Sequence, residues 1–377
     1  MKVLIVHPHM SLYGGAELVI VKLANYLTKN GIKNSILTLS MLDEIKKELK
    51  GTELIIPKGK KEEKKGIFKF LNFTSETLLL RKYVHKYRKE YDVINVHNFP
   101  AEYAIFPFTK NVVWMCNEPP MQLYLMQNLK FPTNFIANLT RSFDKFLVKN
   151  YVKYSVVSDE FNFKRFEKIY GIKAEIINYG IDYEFFSKGN KENVEKKYDL
   201  KNNFVLIQVG TLTPLKNQIE SIKVVEKLKN KIPNIKLLLV GWGDEEYKQY
   251  LENYVRKNKL EKHVVFTGHL SREVIRDLYK ACDVALFPIK SQGGWLSPFE
   301  ALCSGIPIIT SSFITSSNII KENEIGIVTN NFSEAIMKVY KNREIFGKMA
   351  DKGKKFVEEK LTWNNFSQKM LNLFENI

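Results

Sequence analysis

Residues 204–217 read FVLIQVGTLTPLKN, and this stretch decides the fold. Phe204 to Val209 form an almost unbroken apolar run. It lacks the alternation of a strand with one wet face. Such a run marks a strand buried on both sides, as in a parallel sheet covered by helices. Gly210 ends the run, and a polar turn carries the chain through Lys216 and Asn217 into residues 218–230, whose apolar spacing is helical. Strand, turn and helix recur along the chain. Further strands are expected at 3–7, 35–39, 53–56, 92–97, 112–116, 154–157 and 175–177, then at 236–240, 264–266, 284–287, 306–310 and 325–328. Helices are expected at 16–29 and 244–257 among others. This alternation predicts an α/β protein built from two doubly wound units.

A chain of 377 residues exceeds one ordinary core, and two domains are expected. The first spans 1–185 and the second 186–363. The polar stretch Ser187-Lys188-Gly189-Asn190-Lys191-Glu192 lies near the boundary, and an amphipathic helix at 364–377 is expected to cross back to the first domain. With 45% hydrophobic and 26% charged residues, disordered and fibrous classes are excluded. Three cysteines, Cys116, Cys282 and Cys303, form no CxxC pair, which disfavours a disulfide framework or structural zinc. The first apolar run is too short for a signal-peptide core, and no run reaches a membrane span, so a cytoplasmic protein is expected. The net charge of +17 divides fairly evenly between the halves, whereas a specialised nucleic-acid binder concentrates charge on one element. Anionic lipid, an anionic substrate or a generally basic surface remain as explanations. Residues 58–66 (KGKKEEKKG), followed by Phe68, Phe70 and Phe73, read either as a solvated loop or as a basic-aromatic patch for a membrane surface or an acceptor.

In open α/β sheets ligands bind beyond the carboxyl ends of the strands. After the first strand, Gly14-Gly15-Ala16-Glu17 opens a helix, where backbone N–H groups can approach an anion. No GxGxxG fingerprint is present, which counts against a dehydrogenase. His97 ends another strand, where a neutral imidazole suits either a sugar hydroxyl or a structural hydrogen bond. Asn117-Glu118-Pro119-Pro120 forms a stiff polar turn. Lys216, before a helix and beyond a strand, can neutralise a diphosphate; a solvated lysine is the plainer alternative. The densest stretch is residues 291–307, SQGGWLSPFEALCSGIP. Ser297-Pro298 suggests a helix start with proline at its first position, and Glu300 lies one turn in. That carboxylate is either a cap or a clamp on a ribose diol, since it can accept two vicinal hydroxyl protons.

In six segments, in order, the chain resembles glycosyltransferase family 4, and the resemblance covers nearly its whole length. Gly14-Gly15-Ala16-Glu17 is similar to the family's GGxE loop, residues 92–97 (DVINVH) to its D-V-I-H-x-H strand, and Asn178-Tyr179-Gly180-Ile181-Asp182 to its N-G-V-D segment with one residue inserted. Residues 210–217 resemble G-R-L-x-x-x-K-G. Residues 264–288 resemble the stretch before the family's glutamate motif, and 296–307 resemble the second half of that motif. The resemblance implies a GT-B fold, two Rossmann-like domains facing across a cleft. It implies a retaining transferase that moves a hexose from a UDP- or GDP-sugar to an acceptor hydroxyl, on a glycan, a lipid-linked molecule or a small molecule. Lys216 then binds the donor diphosphate, and Glu300 holds the ribose. Gly14 and Gly15 face the distal phosphate, with the Gly15 N–H donating. His97 contacts the transferred sugar. Backbone groups of Leu296, Ser297, Pro298 and Phe299 line the phosphate and sugar, and His269 and Leu270 border the base. Asn117 and Glu118 are expected on the acceptor side. No divalent metal is required by the family, and no DxD-type ligand cluster is visible. Contact with the cytoplasmic face of a membrane fits a lipid-linked acceptor, and no nucleic-acid partner is expected. Three positions depart from the family. Gln292 stands for the first glutamate of the motif, Thr211 for the diphosphate-binding arginine, and Asn117 for a histidine that many members carry. Lys290 is a candidate to replace the missing charge. The alternatives are an inverting transferase, a sugar-nucleotide epimerase, or a binder that has kept the fold and lost activity.

Overall fold

The computed structural model describes residues 1–12, 14–57, 69–107, 111–124, 133–290, 293 and 295–377, with only the backbone at 69–74, 121 and 122. Gln292, and the basic-aromatic stretch up to Phe68, therefore lie outside the described residues. The chain divides into two units, one of residues 1–179 and 363–377, the other of residues 180–362.

The first unit is built on strands β1 (Lys2–Val6), β2 (Lys33–Leu37), β3 (Glu53–Ile55), β4 (Val93–His97), β5 (Val112–Asn117), β6 (Tyr154–Val157) and β7 (Glu175–Ile176). They form one parallel sheet in the order β3-β2-β1-β4-β5-β6-β7. Alternate residues of each strand feed different cores. Leu4, Val6, Ile94, Val96, Val112 and Trp114 pack on one side. Val3, Ile5, Val93, Val113 and Met115 pack on the other. Helices cover both faces, which is why the strands read as unbroken apolar runs. β2 starts earlier than the apolar pattern predicts, because exposed Lys33 and buried Asn34 open it. The Asn34 Nδ2 donates towards Ala24 O, Thr28 Oγ1 and Ile32 O.

The second unit repeats the plan with β8 (Phe204–Val209), β9 (Ile235–Val240), β10 (Val264–Gly268), β11 (Val284–Phe287), β12 (Ile308–Thr310) and β13 (Ile327–Val328). All are parallel, in the order β10-β9-β8-β11-β12-β13. Phe204 and Leu206 face one core with Leu237, Leu239 and Leu286. Val205 and Ile207 are equally buried on the opposite face. β12 starts two residues later than expected. Pro307 has no N–H for the ladder, although its carbonyl accepts from Ala285 N at 2.9 Å.

The last helix, Trp363–Glu375, belongs to the first unit. Phe366, Met370, Leu371 and Phe374 enter the core that holds Val3 and Ile5. Among the described residues no helix is long and apolar enough to cross a membrane. Phe366 is 1% exposed and packs against Tyr179 and Trp363. Phe366→Ala is expected to cost the first unit about 3–5 kcal/mol. In calorimetry one transition should fall while the other holds its temperature; equal shifts in both would contradict the assignment of this helix to one unit.

Candidate functional site

In the second unit the strand order reverses between β8 and β11, which pair directly. Ligands of doubly wound sheets sit beyond the carboxyl ends at such a reversal. Two predicted residues flank it, Lys216 after β8 and Glu300 after β11. The segment carrying Lys216 is held by buried amides. Gln208, inside β8, donates to Lys216 O at 2.8 Å and accepts from the Ser221 hydroxyl at 2.8 Å. Asn217 Nδ2 donates to Pro288 O at 2.9 Å, and Gln218 Nε2 to Thr211 O at 2.9 Å. Lys290 N donates to Leu215 O at 2.9 Å, joining this segment to the end of β11. Asn217 adopts a left-handed φ of 57°, which asparagine tolerates better than most residues. After β9, Gly241 and Gly243 press backbone to backbone on the same segment. A methyl on Gly241 would collide with the Gly210 carbonyl oxygen, and one on Gly243 with that of Leu212.

Within this frame Lys216 is half-buried, and burial pushes its ammonium below the usual lysine value. Glu300, also half-buried, has its carboxyl pushed up to about 7 by burial. Arg272 lowers it in part, and Asp182 raises it further. Arg272 is itself engaged, with Nη2 2.8 Å from Asp182 Oδ2. Among the described residues neither Lys216 nor Glu300 has an ion-pair partner. The helix bearing Glu300 runs Leu296–Cys303, so Pro298 is its third residue and not its first. The local cause is that Trp295, already in helical conformation, occupies the N-cap, its ring tilted against Phe299 with centroids 5.1 Å apart. Phe299 and Pro298 are buried, while Leu296 and Ser297 are half-buried. His269 is exposed and Leu270 half-buried, just past β10. Thr211 and Lys290 are exposed. The Asp182–Arg272 pair was not legible beforehand, because its partners are 90 residues apart.

The first unit reverses its strand order between β1 and β4. Glu17 takes the Gly14 N–H at 3.0 Å and lies 3.6 Å from His7 Nε2. The Gly14 N–H is thus occupied, whereas Gly15 lines a pocket. His97 departs from its expected contact with a sugar. Its ring is fully buried, with Nε2 2.7 Å from Asn95 Oδ1. Burial, then His7, pushes it down to about 3, so it is neutral. The side chain after it, Asn98, lines the pocket instead. This open pocket of about 380 Å³ brings together Gly15, Asn98, Phe99, Asn117, Glu118 and Tyr179. The Tyr179 hydroxyl donates to Asn117 Oδ1 at 2.5 Å, and Asn117 Nδ2 donates to Asn98 Oδ1. Tyr179 is the inserted residue of the 178–182 segment, its only advance signal.

Residues 190–356 match the family model described as Glycosyl transferases group 1. "Putative glycosyltransferase YtcC" of Bacillus subtilis is 23% identical over 316 residues, 76% of this chain and 73% of that protein. The UDP-Gal:alpha-D-GlcNAc-diphosphoundecaprenol alpha-1,3-galactosyltransferase of Escherichia coli is 33% identical over 159 residues, 41% of this chain and 40% of that protein. The crystal structure of Anabaena Alr3699/HepE in complex with UDP superposes with a TM-score of 0.78 at 16% identity, covering 100% of both chains. The fold is GT-B, the group 1 match lies within the second unit, and homologues and fold indicate a glycosyltransferase.

The Glu300 carboxyl generates a pH test. Folded, it holds its proton to about 7, against an ordinary value of 4.5. Folding therefore takes up a proton between these values, and stability falls as pH rises through that window. Glu300→Gln lacks this loss. Its melting temperature should rise relative to wild type between pH 4.5 and 7, and a pH-independent difference would contradict the raised value.

Proposed function

We propose that the protein is a retaining hexosyltransferase whose donor is a UDP- or GDP-sugar held in the second unit by Lys216 and Glu300. One observation carries this reading. Two ionisable side chains of opposite type flank the reversal of the second sheet, and among the described residues each is desolvated without a contacting ion-pair partner, Arg272 acting on Glu300 only from a distance. An ion kept in that state suits a charged or hydroxyl-rich ligand, because binding supplies the partner that folding withheld.

As the glycosidic bond breaks, negative charge grows on the diphosphate. The Lys216 ammonium, carried on a backbone fixed by the amides around it, stabilises that charge as preorganised electrostatics. The N–H groups at the start of helix Leu296–Cys303 add their dipole. The Glu300 carboxylate accepts the two ribose hydroxyl protons, and binding favours its ionised form. His269 and Leu270 border the base. Thr211 supplies a hydroxyl where the family has arginine, so Lys216 is the main cation and Lys290 the nearest reserve. In the first unit the Gly15 N–H offers itself to an anionic oxygen, and Asn117 and Glu118 receive the acceptor. The leaving phosphate takes the acceptor proton, which accords with retention.

Anabaena HepE is seen with UDP, and the Escherichia coli relative is named for a UDP-Gal donor and a diphosphoundecaprenol-linked acceptor. Both favour a uridine donor, and the second a lipid-linked acceptor, as first candidates.

Lys216→Ala should lower turnover by ~10²-fold or more with the fold intact. Unchanged kinetics would remove Lys216 from the mechanism. A thermal-shift screen against UDP, GDP and their sugars should single out one base. A ligand at ~100 times its dissociation constant adds about 2.7 kcal/mol, and no shift with any of them would overturn the donor reading.

A further inference from the structure

Helix Thr133–Tyr151 in the first unit carries a line of large apolar side chains that stays open to solvent. Phe135 is 58% exposed, Ile136 52%, Leu139 56%, Phe143 38% and Phe146 48%. Their spacing places all five within an arc of roughly 100° on a helix of 3.6 residues per turn. The face turned to the protein is different: Ala137, Asp144, Leu147 and Val148 are the buried positions. Asp144 is the only acidic residue of the helix, and its carboxylate is taken by the Tyr124 and Tyr170 hydroxyls at 2.6 and 2.8 Å. The solvent side therefore carries no negative charge. It carries exposed Lys149, with half-buried Arg141 and Lys145, along one flank. Aromatic rings extend the apolar surface sideways. Phe143 meets Phe106 edge-on at 5.2 Å, and Phe146 meets Tyr151 at 5.9 Å. The Arg81 guanidinium lies over Phe106 at 5.7 Å.

We propose that this helix docks the protein on an anionic lipid bilayer, lying in the plane of the interface. Phe135, Ile136, Leu139, Phe143 and Phe146 enter the boundary between headgroups and acyl chains, and the basic flank meets the lipid phosphates. Charge selects this occupant. A second copy packed antiparallel about a two-fold axis would set Arg141, Lys145 and Lys149 against their own kind with no exposed acid on the helix to offset them. A bilayer of negative headgroups complements both that flank and the overall +17. The surface is distinct from the stretch at 58–73, where the sequence pointed to a membrane, and it does not depend on the donor reading.

Co-sedimentation of the full chain tests it, with vesicles of phosphatidylcholine alone and of phosphatidylcholine mixed with phosphatidylglycerol. The protein should pellet with the mixed vesicles, less so as salt is raised, and weakly with the neutral ones. Phe135→Ser, Ile136→Ser and Leu139→Ser combined should lose about tenfold or more of the binding, and Lys145→Glu with Lys149→Glu a similar amount. The replaced apolar side chains are on the surface, so an unchanged melting curve should accompany the loss. Wild type that stays in the supernatant with both vesicle types overturns the proposal. So does a triple-serine variant that pellets like wild type, or a self-association, seen by sedimentation velocity, that this variant abolishes while lipid binding persists.

Discussion

A glutamine inside an apolar strand is the constraint on which the second unit's site depends. Gln208 is 3% exposed in β8, where every neighbour along the strand is hydrophobic, and both ends of its amide are engaged. A buried amide left without partners costs ~1–3 kcal/mol. Its bond to Lys216 O therefore holds the turn in place. Asn217 and Gln218 add two more buried amide donors to the same few residues. The result is a lysine whose backbone is fixed from several sides while its ammonium has no ion-pair partner among the described residues. Such a group loses little freedom when an anion arrives, which is the physical meaning of preorganisation.

The two units use one topology for different chemistry. At the reversal of the second sheet the uncommitted groups are ionic. At the reversal of the first, neutral amides and a hydroxyl stand beside the Glu118 carboxylate. His97 is uncharged, and Asn98, Asn117 and Tyr179 form a chain of neutral hydrogen bonds along the pocket. Directional amide and hydroxyl groups suit the sorting of hydroxyl groups, whereas ionic groups suit an anion and the ribose beside it. The placement follows from the strand ends, which differ in residue type though they coincide in geometry.

Much of the fold was legible because parallel strands covered on both faces leave a strong trace. The run at Phe204–Val209 and those at Tyr154–Val157 and Val284–Phe287 match the observed strands residue for residue. Errors gathered where a polar residue or a proline enters a strand, as with Asn34 and Pro307. The candidate site was legible in part. Lys216 and Glu300 could be located from strand ends and helix starts, since those depend on local sequence. Their electrostatic state could not, because it depends on burial and on residues distant in the chain, such as Arg272 and Asp182 beside Glu300. His97 shows the same limit. Strand-end position suggested access to a ligand, yet its ring is enclosed and bonded to Asn95, two residues away on its own strand. The exposed line on helix Thr133–Tyr151 went unread because periodicity reveals an apolar face without telling whether the protein covers it.

The return of Trp363–Glu375 to the first unit has a consequence for biosynthesis. Residues 1–179 leave the ribosome early, yet the core around Val3 and Ile5 also needs Phe366, Met370, Leu371 and Phe374. Until those last side chains emerge, an apolar groove on the nascent first unit stays wet. The second unit, being continuous from 180 to 362, has no such wait and can close before its elder neighbour is complete. The order of maturation is thus the reverse of the order of synthesis, and the interval between them is when a chaperone would find most to hold.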